Sequence, residues 1–213
     1  MTLRKIPTLI ISAAGFVVLL AYLNFAIGGI ELSERLSLVL AFAIGPVAIF
    51  GVLSLTRELS KEVKGSLLRI ATVFLVIAFA LLNLMIVVQQ SIFSYFQTYF
   101  NEADGEAAKD SLRMILKGVN PVQLGIDVSF DIFYCLGIIM LSAVILRLSL
   151  AHKVLATYGI LSSGALLVLN LWTFPVPPAD AGLIDFGPFT ALFWITLIII
   201  EQLRKRPKTS IRA

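Results

Sequence analysis

The pattern of polar and apolar positions divides the chain into long apolar runs that are separated by short charged stretches. An α-helix needs about 20 apolar residues to cross the roughly 30 Å hydrocarbon core of a bilayer. Six runs have about this length or more, and their approximate boundaries are 6–30, 36–55, 67–99, 122–147, 153–174 and 187–203. We therefore predict an all-α polytopic membrane protein, with residues 1–213 forming one bundle of six transmembrane helices that ends in a basic cytoplasmic tail, 204–213.

The composition supports a membrane protein. Hydrophobic residues make up 59% of the chain and the mean hydropathy is +0.96, whereas soluble domains are about 45–50% apolar. The pI of about 9.3 is explained by membrane orientation, so we expect lipid and no nucleic acid as a partner. With one Cys and one His, the chain forms neither an internal disulfide nor a His/Cys zinc site, and no cofactor is indicated.

The distribution of basic residues predicts the orientation. Of the 17 Lys and Arg residues, 13 fall on the side of the predicted membrane that also carries both termini. The other side holds the remaining four: Arg35, Lys109, Arg113 and Lys117. By the positive-inside rule both termini are cytoplasmic. The N-terminal apolar run exceeds the roughly 7–15 residues of a signal peptide, so we assign it as the first span.

Two stretches depart from a plain span. The end of the third run, SIFSYFQTYF, predicts an aromatic collar outside the membrane. The following NEADGEAAKDSLRMILKG predicts a short amphipathic helix on the outer surface, between the third and fourth spans, ended by Gly118 and Pro121. Within the second span, Pro46 predicts a helix kink or a broken transporter helix.

Two aspartates lie inside the fourth apolar run. Asp127 and Asp131 are four residues apart and share one helix face with Gln123 and Tyr134. A charge near the bilayer centre costs about 2.5–3.5 kcal/mol, so such residues normally face the bundle interior or water. Both carboxylates are expected in the outer leaflet, roughly 7–14 Å from the outer end of their helix.

Three asparagines on other spans reach a similar depth. Asn24, Asn83 and Asn170 lie roughly 22–27 Å from the cytoplasmic ends of their helices. With the aspartates, Gln123 and Tyr134, they are candidates for binding an ion or a ligand. No Lys or Arg lies in the membrane interior, away from the ends of the spans, so a proton, a cation, a cationic ligand or inward-folding Arg113 and Lys117 must compensate the carboxylates. The alternative is that these residues hydrogen-bond neighbouring helices or cap their own helix.

The connection after the fifth span is rich in proline and acidic residues. Its prolines predict a stiff, extended strap over an outward-facing cavity. The strap residues that we single out are Trp172, Phe174, Pro175, Pro178 and Asp185.

The strings GIDVSFDIFYCLG and LNLWTFPVPPADAGLIDFGPF carry a resemblance to known sequences. They resemble a family of uncharacterised bacterial six-span membrane proteins with GLD-x-x-x-D and NLxTFPxPPxxAGLxDxGP motifs. The resemblance covers roughly the last 90 residues and implies a protein of the bacterial inner membrane. It implies no activity.

Three kinds of function are compatible with these features. The first is a transporter-like or receptor-like protein whose outer cavity binds a proton, a cation or a small polar ligand. The second is an accessory subunit whose aspartates pair with a basic residue of a partner membrane protein. The third, a membrane enzyme, is disfavoured because the chain has no HExxH, GxSxG or phosphate-loop motif.

Overall fold

The computed structural model describes residues 10, 11, 13–17, 20 and 33–204. Residues 10, 11, 13–17 and 20 are helical, and five further helices follow. They are α1 (Glu34–Leu59), α2 (Ser66–Glu102), α3 (Glu106–Ile145), α4 (Leu150–Thr173) and α5 (Gly187–Arg204). The described part of the chain contains no strand, which confirms the predicted all-α class.

Four of these helices, α1 to α4, are long and apolar enough to cross a membrane. Their most apolar windows have hydropathies between 1.7 and 2.8, as expected for helices in contact with hydrocarbon. Helix α5 has 18 residues and coincides with the sixth predicted run. Most of the first predicted span, and all of the predicted tail except Arg204, lie outside the described residues.

Consecutive helices run antiparallel because short connections join them, and each packs against its neighbours in the chain. Between α1 and α5 lie the N-terminal helical residues: Ala14 faces Gly51 of α1, and Gly15 faces Ile198 of α5. The bundle therefore has two ends. We call the one with the α4–α5 connection the aspartate end, and the one with the α3–α4 connection the histidine end.

Glycines allow the helices to approach closely, as small residues do in membrane bundles. A Cβ atom at Gly45 of α1 would lie 2.8 Å from the carbonyl oxygen of Phe79 in α2. One at Gly137 of α3 would lie 2.7 Å from Cγ of Leu75, also in α2. At Gly159 of α4 it would lie 2.6 Å from the ring of Phe193 in α5. These contacts set the distances between the helix axes.

The predicted surface helix is part of α3 rather than a separate element. Helix α3 has 40 residues and passes through Gly118 and Pro121 without ending. Pro121 cannot donate to the carbonyl of Lys117, but Lys117 is exposed, so water can replace the lost bond. Basic side chains also hold this stretch to α2, since Lys109 and Arg113 lie 5.5 and 5.1 Å from the ring centre of Phe100.

The last turns of α2 and the first turns of α3 thus form a helical hairpin that extends beyond the membrane-crossing part of the bundle. Helix α2, with 37 residues, is about 55 Å long, and α3 is about 60 Å long, whereas the hydrocarbon core is roughly 30 Å thick. The aromatic residues predicted as a collar lie on this hairpin, where Tyr95 stacks near Tyr99 and Phe96 near Phe100.

Of the two interpretations of Pro46, a kink or a broken transporter helix, the broken helix is not observed. Helix α1 continues from Glu34 to Leu59 with Pro46 in its interior. The close contact of the preceding Gly45 with α2 holds this part of α1 in place, and it leaves no unwound segment that could line a site.

Two glycines of α4 provide a matched test of this packing. In Gly159→Ala the new methyl group would meet Phe193, which is fully buried, so we expect a loss of about 1–3 kcal/mol in stability. In Gly164→Ala the methyl group would meet no atom within 4 Å, and we expect little change. Thermal unfolding in detergent measures both, and equal melting temperatures would contradict the predicted role of Gly159.

Candidate functional site

A polar contact joins α3 and α4 near the aspartate end. The side-chain nitrogen of Asn170 donates a hydrogen bond of 2.6 Å to Oδ2 of Asp131, and the contact is partly buried. About 21 Å of helix separates Asp131 from Ile145 at the end of α3, which places the carboxylate well inside the apolar part of α3. The sequence identified both residues as candidates, and the structure brings them together.

Asp131 also lines a cavity of about 520 Å³ at this end of the bundle. The cavity lies between α2, α3 and α5, with single contributions from α1, α4 and the α4–α5 connection. Its polar lining comes from Gln89, Gln90, Asp131, Tyr134, Asp185 and Thr190. Its apolar lining includes Phe79, Leu82, Met85, Ile86, Phe130 and Leu166.

The electrostatic character of the cavity is negative. No Lys, Arg or His is among its lining residues, and within the described residues no basic side chain forms an ion pair with Asp131. Asp127 and Asp185 add further negative charge close to Asp131. A neutral amide, that of Asn170, is therefore the compensation that the described protein gives this carboxylate.

The acidic residues do not form a metal site of their own. In the described ranges, no three His, Cys, Asp or Glu side chains lie close enough together to hold a metal ion. Asp185 has a local role as well, since its Oδ1 accepts a 2.8 Å hydrogen bond from the backbone N–H of Gly187, where α5 begins.

The structure separates the other predicted candidates. Tyr134 lines the cavity, whereas Asn83 packs against Gly45 at the contact between α1 and α2, and its buried Oδ1 has no hydrogen-bond partner. Neither Gln123 nor Asp127 is among the lining residues. Both lie on the same helix face as Asp131, closer to the start of α3. Asn24 lies outside the described residues.

The predicted strap folds into turns rather than an extended segment. Backbone hydrogen bonds link Val176 to Thr173, Leu183 to Pro178 and Gly182 to Ala179, because a proline fixes one dihedral angle and is compatible with tight turns. Of the strap residues that we singled out, Asp185 lines the cavity. The others do not: Trp172, Phe174, Pro175 and Pro178.

A second polar group, at the histidine end, was not identified from the sequence. His152, which falls between the predicted runs 122–147 and 153–174, lies in the first turn of α4 and is fully buried. Its Nε2 lies 3.0 Å from Oε1 of Glu201, which is also buried, in α5. The sequence feature that could have identified this group is Glu201, an acidic residue within the last apolar run.

This buried pair continues into a network that reaches the surface. Ser149 Oγ lies 2.7 Å from Nδ1 of His152, and Arg204 pairs with the other carboxylate oxygen of Glu201 at 3.2 Å. Arg204 also pairs with Glu62 in the α1–α2 connection. The network therefore fixes the histidine end, where α4, α5 and the first connection meet.

The comparisons with known proteins returned no relative: no family model, no curated protein and no solved structure matches the chain.

Removing Glu201 tests the energetic role of the network. Glu201→Ala would leave His152 buried without its carboxylate partner, and we expect a loss of about 3 kcal/mol in stability, because breaking a buried pair is costly. Glu106→Ala is the control, since that side chain is 77% exposed and its pairing contributes little. A melting temperature of Glu201→Ala equal to that of the control would contradict this role.

Proposed function

We propose that this chain is a membrane protein whose cavity at the aspartate end binds a proton, a cation or a small polar ligand, in the manner of a transporter or receptor. The observation that carries the proposal is Asp131, a carboxylate that lines a cavity of about 520 Å³ and has no basic partner in the described protein. A partly buried carboxylate whose charge is not neutralised is unfavourable, and a bound positive charge or proton would remove that cost.

The proposal includes a location and an orientation. We infer six spans in the bacterial inner membrane, with both termini in the cytoplasm and the cavity open to the outside. The excess of basic residues at the histidine end supports this orientation, and the four apolar helices support a location in a membrane. The resemblance of the last 90 or so residues to bacterial six-span proteins supports the location.

The single native cysteine makes the orientation testable. Cys135 is fully buried, so wild type provides an unlabelled background for a maleimide that does not cross membranes. We expect Asp185→Cys to be labelled in intact cells, and Lys153→Cys, an exposed position at the histidine end, to be labelled only after the cells are opened. The reverse pattern would place the cavity on the cytoplasmic side.

Neutralising Asp131 tests whether the cavity binds a positive charge. In Asp131→Asn the residue loses its charge but keeps an oxygen for Asn170. The additions to be compared are protons (a lower pH), inorganic cations and organic cations. We expect at least one of them to raise the melting temperature of wild type and to leave that of the variant unchanged. A ligand present at 100 times its dissociation constant stabilises the folded protein by about 2.7 kcal/mol.

The control for this measurement is Asp110→Asn, because Asp110 is an exposed acid of the same helix, 67% accessible to solvent. This variant should respond like wild type. If Asp131→Asn and wild type respond in parallel to every added ion and at every pH, the aspartate is a structural residue and the proposal fails.

A second candidate function, an accessory subunit of a larger membrane complex, is favoured by the helical hairpin. Several large apolar side chains on it are well exposed beyond the membrane-crossing part: Phe93, Tyr95, Tyr99, Met114 and Ile115. Exposed apolar groups of this kind mark interaction sites. A partner that crosslinks to Met114→Cys but not to a cysteine at Lys153 would support this function.

A further inference from the structure

We infer that the occupant of the cavity is an organic monocation, an ammonium compound that carries an apolar body, rather than a bare inorganic ion. This inference rests on the function proposed above and specifies the ligand class. It follows from three properties of the cavity: its charge, its aromatic and aliphatic lining, and its size.

The charge is concentrated on one part of the lining. Asp131 comes from α3 and Asp185 from the α4–α5 connection, and Gln89 and Gln90 of α2 add amide oxygens. An ammonium group has up to three N–H donors, and carboxylate and amide oxygens accept them. Anionic ligands are disfavoured, since none of the described Lys, Arg and His residues lines the cavity.

The rest of the lining is aromatic and aliphatic. Phe130 stacks on Tyr134 with ring centres 5.0 Å apart, and Phe79 meets Tyr134 edge-on at 5.9 Å. These three residues all line the cavity, where aromatic rings can attract a cation and provide apolar surface for a hydrocarbon body. A hydrated inorganic ion would gain nothing from this surface.

The size also favours an organic ligand. Small-molecule sites usually have volumes of about 300–1,000 Å³, and the cavity, at about 520 Å³, falls within that range. A single water occupies about 30 Å³, so a bare ion would leave most of the space to water against apolar walls. In addition, the described acids include no group of three that could hold a metal ion.

The experiment compares ligands that share a body and differ in charge. Phenethylammonium and 2-phenylethanol have the same ring and chain, and only the first is charged. Na⁺ and K⁺ are cations that have no apolar group. Binding to the purified full-length protein in detergent is measured by calorimetry and by the shift in melting temperature. We expect phenethylammonium to bind at least about tenfold more tightly than 2-phenylethanol, and Na⁺ and K⁺ to leave the melting temperature unchanged.

Variants assign the binding to the cavity. Asp131→Asn should weaken phenethylammonium binding by about tenfold or more, and Phe130→Ala should weaken it severalfold through loss of the aromatic wall. Asp185→Asn is the second charge variant and is useful if Asp131→Asn does not fold, because asparagine can still accept the hydrogen bond from Gly187. Asp110→Asn, on the exposed hairpin, should bind like wild type.

The outcomes separate this inference from the proposed function. If Na⁺ or K⁺ stabilises wild type through Asp131 and phenethylammonium does not, the site takes an inorganic ion, so the inference fails while the proposed function stands. Equal binding of the amine and the alcohol would overturn the inference too, because the charge would then contribute nothing. If no ligand or proton distinguishes wild type from Asp131→Asn, both fail.

Discussion

A carboxylate inside an apolar helix bundle must be compensated within the protein, because neither lipid nor packed side chains can solvate it. This constraint organises both ends of the molecule. At the histidine end Glu201 meets His152 and Arg204, and the pairing joins α4 to α5. At the aspartate end Asp131 meets Asn170, which joins α3 to α4. Each acidic residue thus fixes the position of a helix pair that apolar contacts alone would leave free to slide.

The two carboxylates nevertheless differ in how completely they are compensated. Glu201 is buried against one imidazole and one guanidinium group. Asp131 has a neutral amide on one oxygen, two further acids nearby and a cavity in front of it. Because of this difference, we assign a structural role to the first residue and propose the second as the place where a positive charge binds. Composition cannot distinguish them, since both are acidic residues within predicted apolar runs.

The shape of the cavity follows from how the helices are spaced. Glycines let α1 approach α2, α2 approach α3, and α4 approach both α3 and α5, at Gly45, Gly137 and Gly159. Near the middle of the bundle the ring of Phe79 contacts those of Tyr134 and Trp194. Phe79 and Tyr134 also line the cavity, so this space lies beside the rings. The polar residues of α2 and α3 line this space because their helices are long enough to continue past it.

The sequence by itself determined the membrane class, the bounds of most apolar helices and the pairing candidates Asp131 and Asn170, because hydropathy and the cost of buried charge act on each residue locally. It also predicted two features that the structure changed: the separate surface helix, which is part of α3, and the extended strap, which is folded into turns. Tertiary structure alone decided that Asn83 packs at a helix contact, that His152 reaches Glu201 across 49 residues, and that Asp185 joins the cavity. Those outcomes depend on which helix faces meet, and a helical pattern gives a residue's face without naming the neighbour it will contact.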